Sequence, residues 1–272
     1  MNITLPHVPE EVMKACRSGC ISKRSDADRL NEAQGSLTGY DCPICRNKGL
    51  IFSETSDGYT TSRECSCMEL RRAQDRIRAS GLQSSMESYR FDNFQTKTQW
   101  QERFKIAAQR FVRESGESWF YAGGQPGVGK THLCTAIAGA FLEQGKAVRY
   151  MLWRETSAKL KACVNDPEYE QILRPYKEAD VLYIDDLFKS GKGEGGKRKP
   201  PTAGDINLAF DLINFRYINH ATTILSTELT IEELMEADEA IGSRVYQRSK
   251  GFCFSFASDR AKNYRISNGE KI

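Results

Sequence analysis

The sequence predicts an α/β protein in which a parallel sheet of five strands has helices on both faces and follows a small metal-binding module. Three observations support this prediction. Five short apolar segments alternate with helix-forming segments, a glycine-rich loop directly follows the first apolar segment, and four cysteines lie in two close pairs upstream. Alternating strands and helices are typical of parallel sheets that are buried on both faces.

Length and composition suit a protein of two domains. The chain has 272 residues, of which 39% are hydrophobic and 28% are charged, and this fits one α/β domain with a smaller appendage. It contains no apolar run of about 18 residues, the minimum for a bilayer span, so no membrane contact is expected. The first residues have neither a basic start nor an apolar core, and the expected location is therefore the cytoplasm.

The net charge of +3 does not by itself indicate a nucleic-acid-binding protein. The distribution of charge is more informative, because five basic residues and one acidic residue lie between Lys189 and Lys199. This stretch belongs to a glycine-rich loop of residues 189–201. Such a loop could line a path for DNA, or it could be a flexible linker.

Four cysteines have the spacing of a zinc site. Cys42 and Cys45 form a C-x-x-C pair, and Cys65 and Cys67 form a C-x-C pair after 19 intervening residues that resemble a β-hairpin. Four thiolates at about 2.3 Å suit a tetrahedral Zn²⁺ ion, which can organise a segment too small to bury a core of its own. The sequence therefore favours structural zinc, with a redox pair or unrelated thiols as alternatives.

The other five cysteines are expected to be ordinary thiols. Cys16 and Cys20 lie one helical turn apart, and a second metal or oxidative chemistry is a less favoured alternative to buried or idle thiols. Cys134, Cys163 and Cys253 lie inside apolar patterns and are expected in the core.

The N-terminal domain is expected over residues 1–81. Residues 68–78 are rich in arginine and free of helix breakers, and they precede Gly81, so a basic helix with a glycine stop is predicted. Residues 82–97 are interpreted as a linker, whose aromatic side chains pack in the core or lie near a bound base. Trp100, Phe104 and Phe111 recur at helical spacing and predict an amphipathic helix over 98–114, at the start of a second domain of residues 98–272.

The second domain contains five strand candidates. They cover residues 119–122, 147–153, 181–184, 222–225 and 252–256. The carboxyl ends of parallel strands meet at one edge of the sheet, where α/β proteins bind ligands. Polar residues that directly follow these strands are therefore the candidates for a functional site.

A complete phosphate-binding motif follows the first strand candidate. It has the pattern G-x-x-x-x-G-K-[ST] and comprises Gly124, Gln125, Pro126, Gly127, Val128, Gly129, Lys130 and Thr131. The glycines let backbone N–H groups converge on phosphate oxygens, and the N-terminus of the next helix adds positive charge. Lys130 is expected to contact the β- and γ-phosphates, and Thr131 to bind Mg²⁺. The motif predicts a nucleoside triphosphate site.

Two carboxylates end the third strand candidate. Asp185 is expected to hold Mg²⁺ through water beside Thr131, and Asp186 to orient or deprotonate the attacking water. The residues between Lys130 and Asp185 leave room for a strand between the two motif-bearing strands. Asp186 is one methylene shorter than the glutamate often found in this role, so slow hydrolysis is expected.

Two further positions complete the predicted catalytic set. Ser226, Thr227 and Glu228 follow the fourth strand candidate, and one of these polar groups is expected to sense the γ-phosphate. Arg244 follows a glycine and a serine beyond an acidic helix. It could reach a phosphate on a neighbouring subunit, or it could be an ordinary surface arginine.

In their order and combination, these motifs resemble the AAA+ helicase loaders of the DnaC/DnaI type, which are related to IstB-like ATPases. The likeness includes Gly242-Ser243-Arg244 and extends from about residue 40 to about residue 266. It implies a P-loop NTPase fold of the AAA+ type, with a five-stranded sheet in which the motif strands are neighbours. It also implies that Arg244 is an arginine finger and Arg265 a weaker nucleotide contact. Glu228 departs from the family, which commonly has Asn there, so Thr227 or Ser226 is expected to take the sensor role.

The resemblance implies an ATP-dependent loader that places a DnaB-type replicative helicase on single-stranded DNA. The metal-binding region would dock on the helicase, and the ATPase domain would self-assemble and contact the DNA, either of which would stimulate hydrolysis. The implied cofactors are ATP, Mg²⁺ and Zn²⁺. Two alternatives stay open: an IstB-like helper ATPase of DNA transposition, and an ATP-gated DNA-binding switch with little hydrolysis.

Overall fold

A computed structural model describes residues 25–39, 41–86, 88–191 and 198–264 of the chain. The chain divides into two compact units, and the division falls between Arg71 and Arg72. This boundary lies inside a helix and ten residues before the domain end expected at residue 81. The units are described separately below.

The described residues of the first unit form a helix and a hairpin. Helix α1 (Asp26–Glu32) precedes the antiparallel strands β1 (Leu50–Glu54) and β2 (Thr60–Glu64), and helix α2 (Cys67–Ser80) begins in this unit. The N–H of Thr55 donates to the carbonyl oxygen of Tyr59 at 2.8 Å and closes the turn. The hairpin predicted between the two cysteine pairs and the basic helix after them are both confirmed.

The side chain of Asn31 takes the place of a neighbouring strand along β1. Its Nδ2 donates to the carbonyl oxygen of Phe52 at 2.8 Å, and its Oδ1 accepts from the N–H of Phe52 at 3.0 Å. Beside it, the Lys48 ammonium donates to the carbonyl oxygens of Asn31 and Ala33, where the C-terminus of α1 carries partial negative charge. Helix α1 is thereby tied to the hairpin.

The second unit alternates helices and strands, as the sequence predicts. Its elements are α3 (Gln83–Met86), α4 (Gln99–Glu114), β3 (Trp119–Gly124), α5 (Lys130–Glu143), β4 (Val148–Leu152), α6 (Trp153–Ala162), α7 (Glu168–Glu178), β5 (Val181–Leu187), α8 (Ala203–Ile218), β6 (Thr222–Thr227), α9 (Ile231–Ala237), α10 (Glu239–Arg248) and β7 (Cys253–Phe256). Among the described residues, no helix has the length and apolar character that a membrane crossing needs.

The five strands form one parallel sheet in the order β4-β5-β6-β3-β7. The phosphate loop follows β3 and the acidic pair ends β5, so β6 separates the two motif-bearing strands. The expectation that these strands are neighbours was wrong. Room for an intervening strand was foreseen, but β4, the strand between the motifs in the chain, lies at the edge of the sheet. The strand that intervenes comes later in the chain than both motifs.

Side chains alternate between the two faces of the sheet and enter two buried clusters. On β3, Phe120 and Ala122 pack in the cluster that contains residues of α4 and α5, whereas Trp119 and Tyr121 pack in the cluster with residues of α8 and α10. Helices therefore cover both faces of the sheet, as predicted. Burial of each large apolar side chain in these clusters contributes about 1.5–3 kcal/mol.

Residues 82–97 are built into the second unit, which corrects their interpretation as a linker. Leu82 is 1% exposed and Phe94 is 8% exposed. Both belong to the apolar cluster that includes Phe104 and Phe111 of α4. The mostly polar composition of the segment conceals these two apolar anchors.

Arg216 is fully buried at the amino-terminal ends of the strands, whereas the phosphate loop lies at their carboxyl ends. Its Nη1 donates to the carbonyl oxygen of Ala179 at 2.9 Å, and its Nε donates to Thr223 Oγ1 at 2.9 Å. Burial lowers the pKa of Arg216 to about 9. A buried cation held by backbone carbonyls joins the end of α7 to the start of β6.

Candidate functional site

The phosphate loop turns sharply at glycines that no other residue could replace without strain. Gly124 has φ of +93° and Gly129 has φ of +88°. A Cβ at Gly124 would collide with the carbonyl group of Phe256, and one at Gly129 would collide with the ring of Phe94. The loop therefore needs glycine both for its left-handed turns and for its close packing.

Lys130 is the first residue of α5 and lies against the loop. Its Nζ donates to the carbonyl oxygens of Gly124 and Gln125 at 2.8 Å and 2.7 Å. The side chain is buried, and burial lowers the pKa of Lys130 to about 8, although Glu228 and Asp186 act in the opposite direction. The ammonium is thus a poorly solvated cation at the base of a glycine-rich loop, an arrangement suited to a polyphosphate.

Asp185 is buried at the carboxyl end of β5 and is held by three hydroxyl groups. Its carboxylate accepts from Thr131 Oγ1 at 3.3 Å, from Tyr150 Oη at 3.0 Å and from Ser226 Oγ. The structure therefore brings together Thr131 and Asp185, the two predicted magnesium ligands. Carboxylate and hydroxyl oxygens are ligands that Mg²⁺ accepts, so the residues present fit this ion.

An irregularity in β5 turns Asp186 toward a cavity that residues of the phosphate loop also line. The register between β5 and β6 shifts between Ile184 and Leu187, and Asp186 has φ of +57°. Its N–H donates to Ser226 Oγ at 3.1 Å, and its carboxylate accepts from Lys189 Nζ at 2.9 Å. Bulges and left-handed non-glycine residues re-aim side chains and are concentrated near functional sites.

The three polar residues at the end of β6, Ser226, Thr227 and Glu228, have different surroundings. Ser226 contacts Asp185, and Glu228 lines the cavity at the phosphate loop. Thr227 is fully buried, and its hydroxyl donates to the carbonyl oxygen of Leu187 at 2.7 Å. Thr227 does not line the cavity, because alternate residues of a strand face opposite sides. Of the two expected sensors, Ser226 is the one that the structure brings to the acidic pair.

Arg244 lies on α10 and does not line the described cavity. Its guanidinium stands 5.2 Å from the ring centroid of Phe210 and 5.5 Å from that of Tyr217, and its Nη1 donates to the carbonyl oxygen of Ala240 at 2.8 Å. The side chain is half-buried against aromatic rings of α8. Within its own chain, Arg244 therefore packs on α8 and does not contribute to the cavity at the phosphate loop.

A cavity of about 300 Å³ joins the phosphate loop to Asp186, the second residue of the acidic pair. Its lining residues are Tyr89, Asn93, Phe94, Gln95, Gln101, Pro126, Gly127, Val128, Gly129, Lys130, Thr131, His132, Asp186, Lys189, Glu228 and Tyr264. Tyr89 and Phe94 line this cavity, and Phe94 also belongs to the core cluster, so core packing of the aromatic side chains is confirmed for Phe94 and a position near a bound base stays a prediction.

Sequence reasoning missed Tyr150, Lys189 and Tyr264 as site residues. Tyr150 comes from β4, a strand without a motif, and only the sheet order brings it next to Asp185. Lys189 follows the acidic pair by three residues, and its charge was attributed only to the basic loop. Tyr264 reaches the phosphate loop through a hydrogen bond of 2.9 Å from its N–H to the carbonyl oxygen of Gly127.

The four predicted zinc ligands converge in the first unit. The sulfur atoms of Cys42, Cys45, Cys65 and Cys67 all lie within 4.8 Å of one another, and all four residues are buried. The Sγ–Sγ distance is 3.8 Å between Cys42 and Cys65 and 3.5 Å between Cys45 and Cys67. Tetrahedral ligands at about 2.3 Å from zinc lie about 3.8 Å apart. This donor set fits zinc.

The protonation of two of these thiols differs. For Cys45, burial acts to raise the pKa, but hydrogen bonds from the N–H of Gly49 and from neighbouring thiols lower it to about 6. Burial raises the pKa of Cys67 to about 12. One thiolate beside a protonated thiol is the arrangement expected for closely packed thiols, and a cation would favour ionisation of both.

The structure describes three of the five remaining cysteines. Cys134 is buried as expected, whereas Cys163 and Cys253 are only half-buried. Cys16, Cys20, Arg265 and residues 192–197 of the basic loop lie outside the described residues.

Comparison with known proteins identifies the family. The family described as IstB-like ATP binding protein matches residues 58–248, well over half of the chain. The chain belongs to this family. The matched region contains the phosphate loop, the acidic pair and Arg244, so ATP binding is the property that the family and the site share.

Two relatives in Bacillus subtilis (strain 168) are similar over most of their length. The uncharacterized protein YqaM is 32% identical over 284 residues, which cover 85% of this chain and 87% of YqaM. The phage-like element PBSX protein XkdC is 34% identical over 227 residues, which cover 79% of this chain and 82% of XkdC.

Helicase loaders are more distant relatives. The replicative helicase loader DnaC of Buchnera aphidicola subsp. Acyrthosiphon pisum (strain APS) is 26% identical over 130 residues, which cover 46% of this chain and 52% of that protein. A crystal structure of the DnaC helicase loader matches with a TM-score of 0.52 and 21% identity, and covers 64% of this chain and 98% of that chain. The structural match shows that the IstB-like chain has the AAA+ P-loop fold.

Proposed function

We propose that the chain is an ATP-dependent loader that places a DnaB-type replicative helicase on single-stranded DNA. The observation that carries the proposal is the presence, in one chain of this family, of a complete nucleotide cavity and a separate four-cysteine centre. Similarity to DnaC, a replicative helicase loader, supports it. An ATPase alone would not need a second, metal-organised unit.

In this proposal the phosphate loop binds ATP and two strands complete the site. Lys130 balances the charge of the β- and γ-phosphates, and Asp185 with Thr131 would hold Mg²⁺, which neutralises developing charge on the phosphoryl oxygens when bound. Asp186 orients the attacking water and accepts its proton. Ser226 fixes both acids, because its hydroxyl touches the Asp185 carboxylate and the Asp186 N–H.

Assembly would complete the active site. Arg244 does not line the nucleotide cavity of its own chain, so in the proposal it serves the site of a neighbouring copy as an arginine finger. The first unit, with its zinc-binding thiolates, would dock on the helicase. The basic residues that follow the acidic pair would contact single-stranded DNA.

A pull-down with the full chain and its cognate DnaB-type helicase tests the proposal. We expect ATP-dependent capture and transfer of the helicase to single-stranded DNA, both lost in Lys130→Ala. Lys146→Ala removes an equal charge at an exposed position and should behave as the wild type. Capture of no helicase, with and without ATP, by a chain that still binds ATP would refute the loader function.

The family description also favours a second candidate, a helper ATPase of DNA transposition. Stimulation of strand transfer by a transposase, without any effect on a helicase, would support it. The ion pair between Lys189 and Asp186 favours a third candidate, an ATP-gated DNA-binding switch with little hydrolysis. ATP-dependent DNA affinity without measurable turnover would distinguish this switch from a motor.

A further inference from the structure

Arg244 is a cation without an acidic partner in the part of the chain that the structure describes. Its Nη1 donates to the carbonyl oxygen of Ala240, one turn earlier in α10. Its Nε is buried and has no hydrogen-bond partner among the described residues. A buried N–H group without an acceptor costs free energy. The guanidinium of Arg244 therefore keeps a donor capacity that its own chain does not use.

Two aromatic rings of α8 support this guanidinium. Its Cζ lies 5.2 Å from the ring centroid of Phe210 and 5.5 Å from that of Tyr217. We call these two residues the aromatic pair. They are seven positions apart, which places them about two turns apart on one face of α8. Ring faces attract a cation without using its N–H groups, so the aromatic pair can hold the guanidinium while its donors stay available for an anion.

Residues of α10 fix the ring of Tyr217. Its Oη donates to Gln247 Oε1 at 2.8 Å, and the Cζ of Arg248 lies 4.9 Å from the centroid of the same ring. Residues three and four positions apart in a helix are neighbours, so Arg244, Gln247 and Arg248 share one face of α10. Tyr217 is therefore held by the helix face that carries Arg244.

Arg248, on the same face of α10, is used differently from Arg244. Its Nη1 lies 3.3 Å from Glu117 Oε2. Its Nη2 donates to the carbonyl oxygen of Tyr217 at 2.7 Å and lies 3.0 Å from His220 Nδ1. The charge of Arg248 is thus balanced within the chain. Of the two arginines that lie over Tyr217, Arg244 is the one left to meet an anion from outside.

We propose that Phe210 and Tyr217 are positioning residues, which hold the guanidinium of Arg244 ready to contact the phosphates of ATP bound to a neighbouring copy. The inference rests on the proposed ATPase function and assigns the support of its arginine finger to side chains of α8. The competing account is that the aromatic pair only packs α8 against α10.

The physical advantage of the aromatic pair is that it orders Arg244 before the subunits meet. An arginine side chain has several rotatable bonds and loses much conformational entropy when a contact fixes it. A guanidinium already held over two rings has lost part of this freedom in the separate chain. Less free energy then opposes its contact with phosphate, as for any binding group that is preorganised.

Mixtures of two inactive variants test the proposal, because they separate the chain that supplies Arg244 from the chain that binds ATP. We call Lys130→Ala the finger chain and Arg244→Ala the site chain. Tyr217→Leu added to the finger chain should lower ATP turnover of the mixture by about three- to tenfold, the loss expected for a cation–π contact of a half-buried guanidinium. The same substitution in the site chain should leave turnover unchanged, because that chain has no Arg244 to position.

Matched variants of the finger chain separate the ring from other effects. Phe210→Leu should act like Tyr217→Leu. Tyr217→Phe keeps the ring and should retain most of the turnover, although it loses the hydrogen bond to Gln247. Tyr246→Leu, at an exposed tyrosine of α10, should have no effect. Sedimentation measures assembly of each mixture, and the KM for ATP, which belongs to the site chain, should be the same in all of them.

The outcomes distinguish positioning from packing. Equal losses from Tyr217→Leu in the finger chain and in the site chain would indicate a defect of folding or assembly, and would overturn the positioning role. Unchanged turnover in both mixtures would overturn it as well. The parent mixture tests the proposed function separately. If its two chains assemble without any turnover, the finger role of Arg244 fails, and the role of the aromatic pair fails with it.

Discussion

Tyr150 of β4 donates a hydrogen bond of 3.0 Å to Oδ2 of Asp185 on the adjacent strand β5. The other carboxylate oxygen accepts from Thr131 and Ser226, so hydroxyl groups from three elements fix one carboxylate. Burial and the charge of Asp185 raise the pKa of Tyr150. The phenol is thereby kept as a donor, and the orientation of Asp185 depends on it.

Tyr150→Phe should therefore weaken the use of Mg²⁺ without unfolding the protein. Loss of a hydrogen bond to a charged group costs about 1.5–3 kcal/mol, so we expect about a tenfold higher Mg²⁺ concentration for half-maximal turnover. A titration of ATP turnover with MgCl₂ measures it. Tyr246→Phe, at an exposed residue, is the control, and an unchanged Mg²⁺ dependence in Tyr150→Phe would contradict the role.

The affinity for ATP should fall as the pH rises above 8. Burial lowers the pKa of Lys130 to about 8, so the free protein loses this charge above pH 8. Bound phosphates favour the charged form, and the complex therefore has a higher pKa. Affinity should be full below pH 8 and about tenfold weaker at pH 9 than at pH 7.

Calorimetric titration with a non-hydrolysable ATP analogue measures this dependence. Lys130→Arg keeps its charge throughout the range and should show a flat profile, even if its affinity is lower. A flat profile for the wild type would show that the charge of Lys130 does not limit binding.

Cys42→Ser should remove the metal and unfold the hairpin of β1 and β2. A structural zinc ion contributes much of the folding free energy of such small units. Elemental analysis should find about one zinc per wild-type chain and almost none in the variant. Hydrogen exchange of residues 50–64 should become fast. Cys163→Ser, at a thiol outside the cluster, should keep the metal; equal zinc content in the two variants would refute the site.

Arg244→Ala should retain ATP affinity and lose assembly-dependent hydrolysis by a factor of about 10³. Mixing provides the sharpest test. Arg244→Ala supplies an intact nucleotide site and Lys130→Ala supplies an intact Arg244, so a mixture of these inactive variants should regain part of the activity. If the mixture stays inactive while both variants assemble, or if Arg244→Ala alone is fully active, the finger assignment fails.

The sequence predicted the elements well because their signals are local. A full phosphate motif, the four cysteines and the apolar segments each depend on residues close in the chain, and the structure has them as expected. The order β4-β5-β6-β3-β7 is different. The strand order depends on how the helices that connect the strands pack on the two faces of the sheet. Neither the position of β6 nor the hydrogen bond between Tyr150 and Asp185 could therefore be derived from local patterns.

Single side chains were also harder to assign than motifs. Thr227 and Ser226 are adjacent and chemically alike, and only the register of β6 decides which of them meets the acidic pair. Arg216 carried no motif at all, yet it is fully buried and bonded to backbone carbonyls. Its partners are the start of β6, which directly follows α8, and the end of α7, which lies 37 to 40 residues earlier in the chain.

The contact between Asn31 and Phe52 determines how the hairpin can meet other polypeptides. The amide side chain of Asn31 fills the hydrogen-bonding groups of Phe52, which a third strand would need at the middle of β1. Exposed strand edges can pair with strands of other molecules. Here one side chain occupies part of one exposed edge. Asn31 therefore disfavours addition of a strand along β1, and replacing Asn31 with Ala should make this edge more prone to self-association.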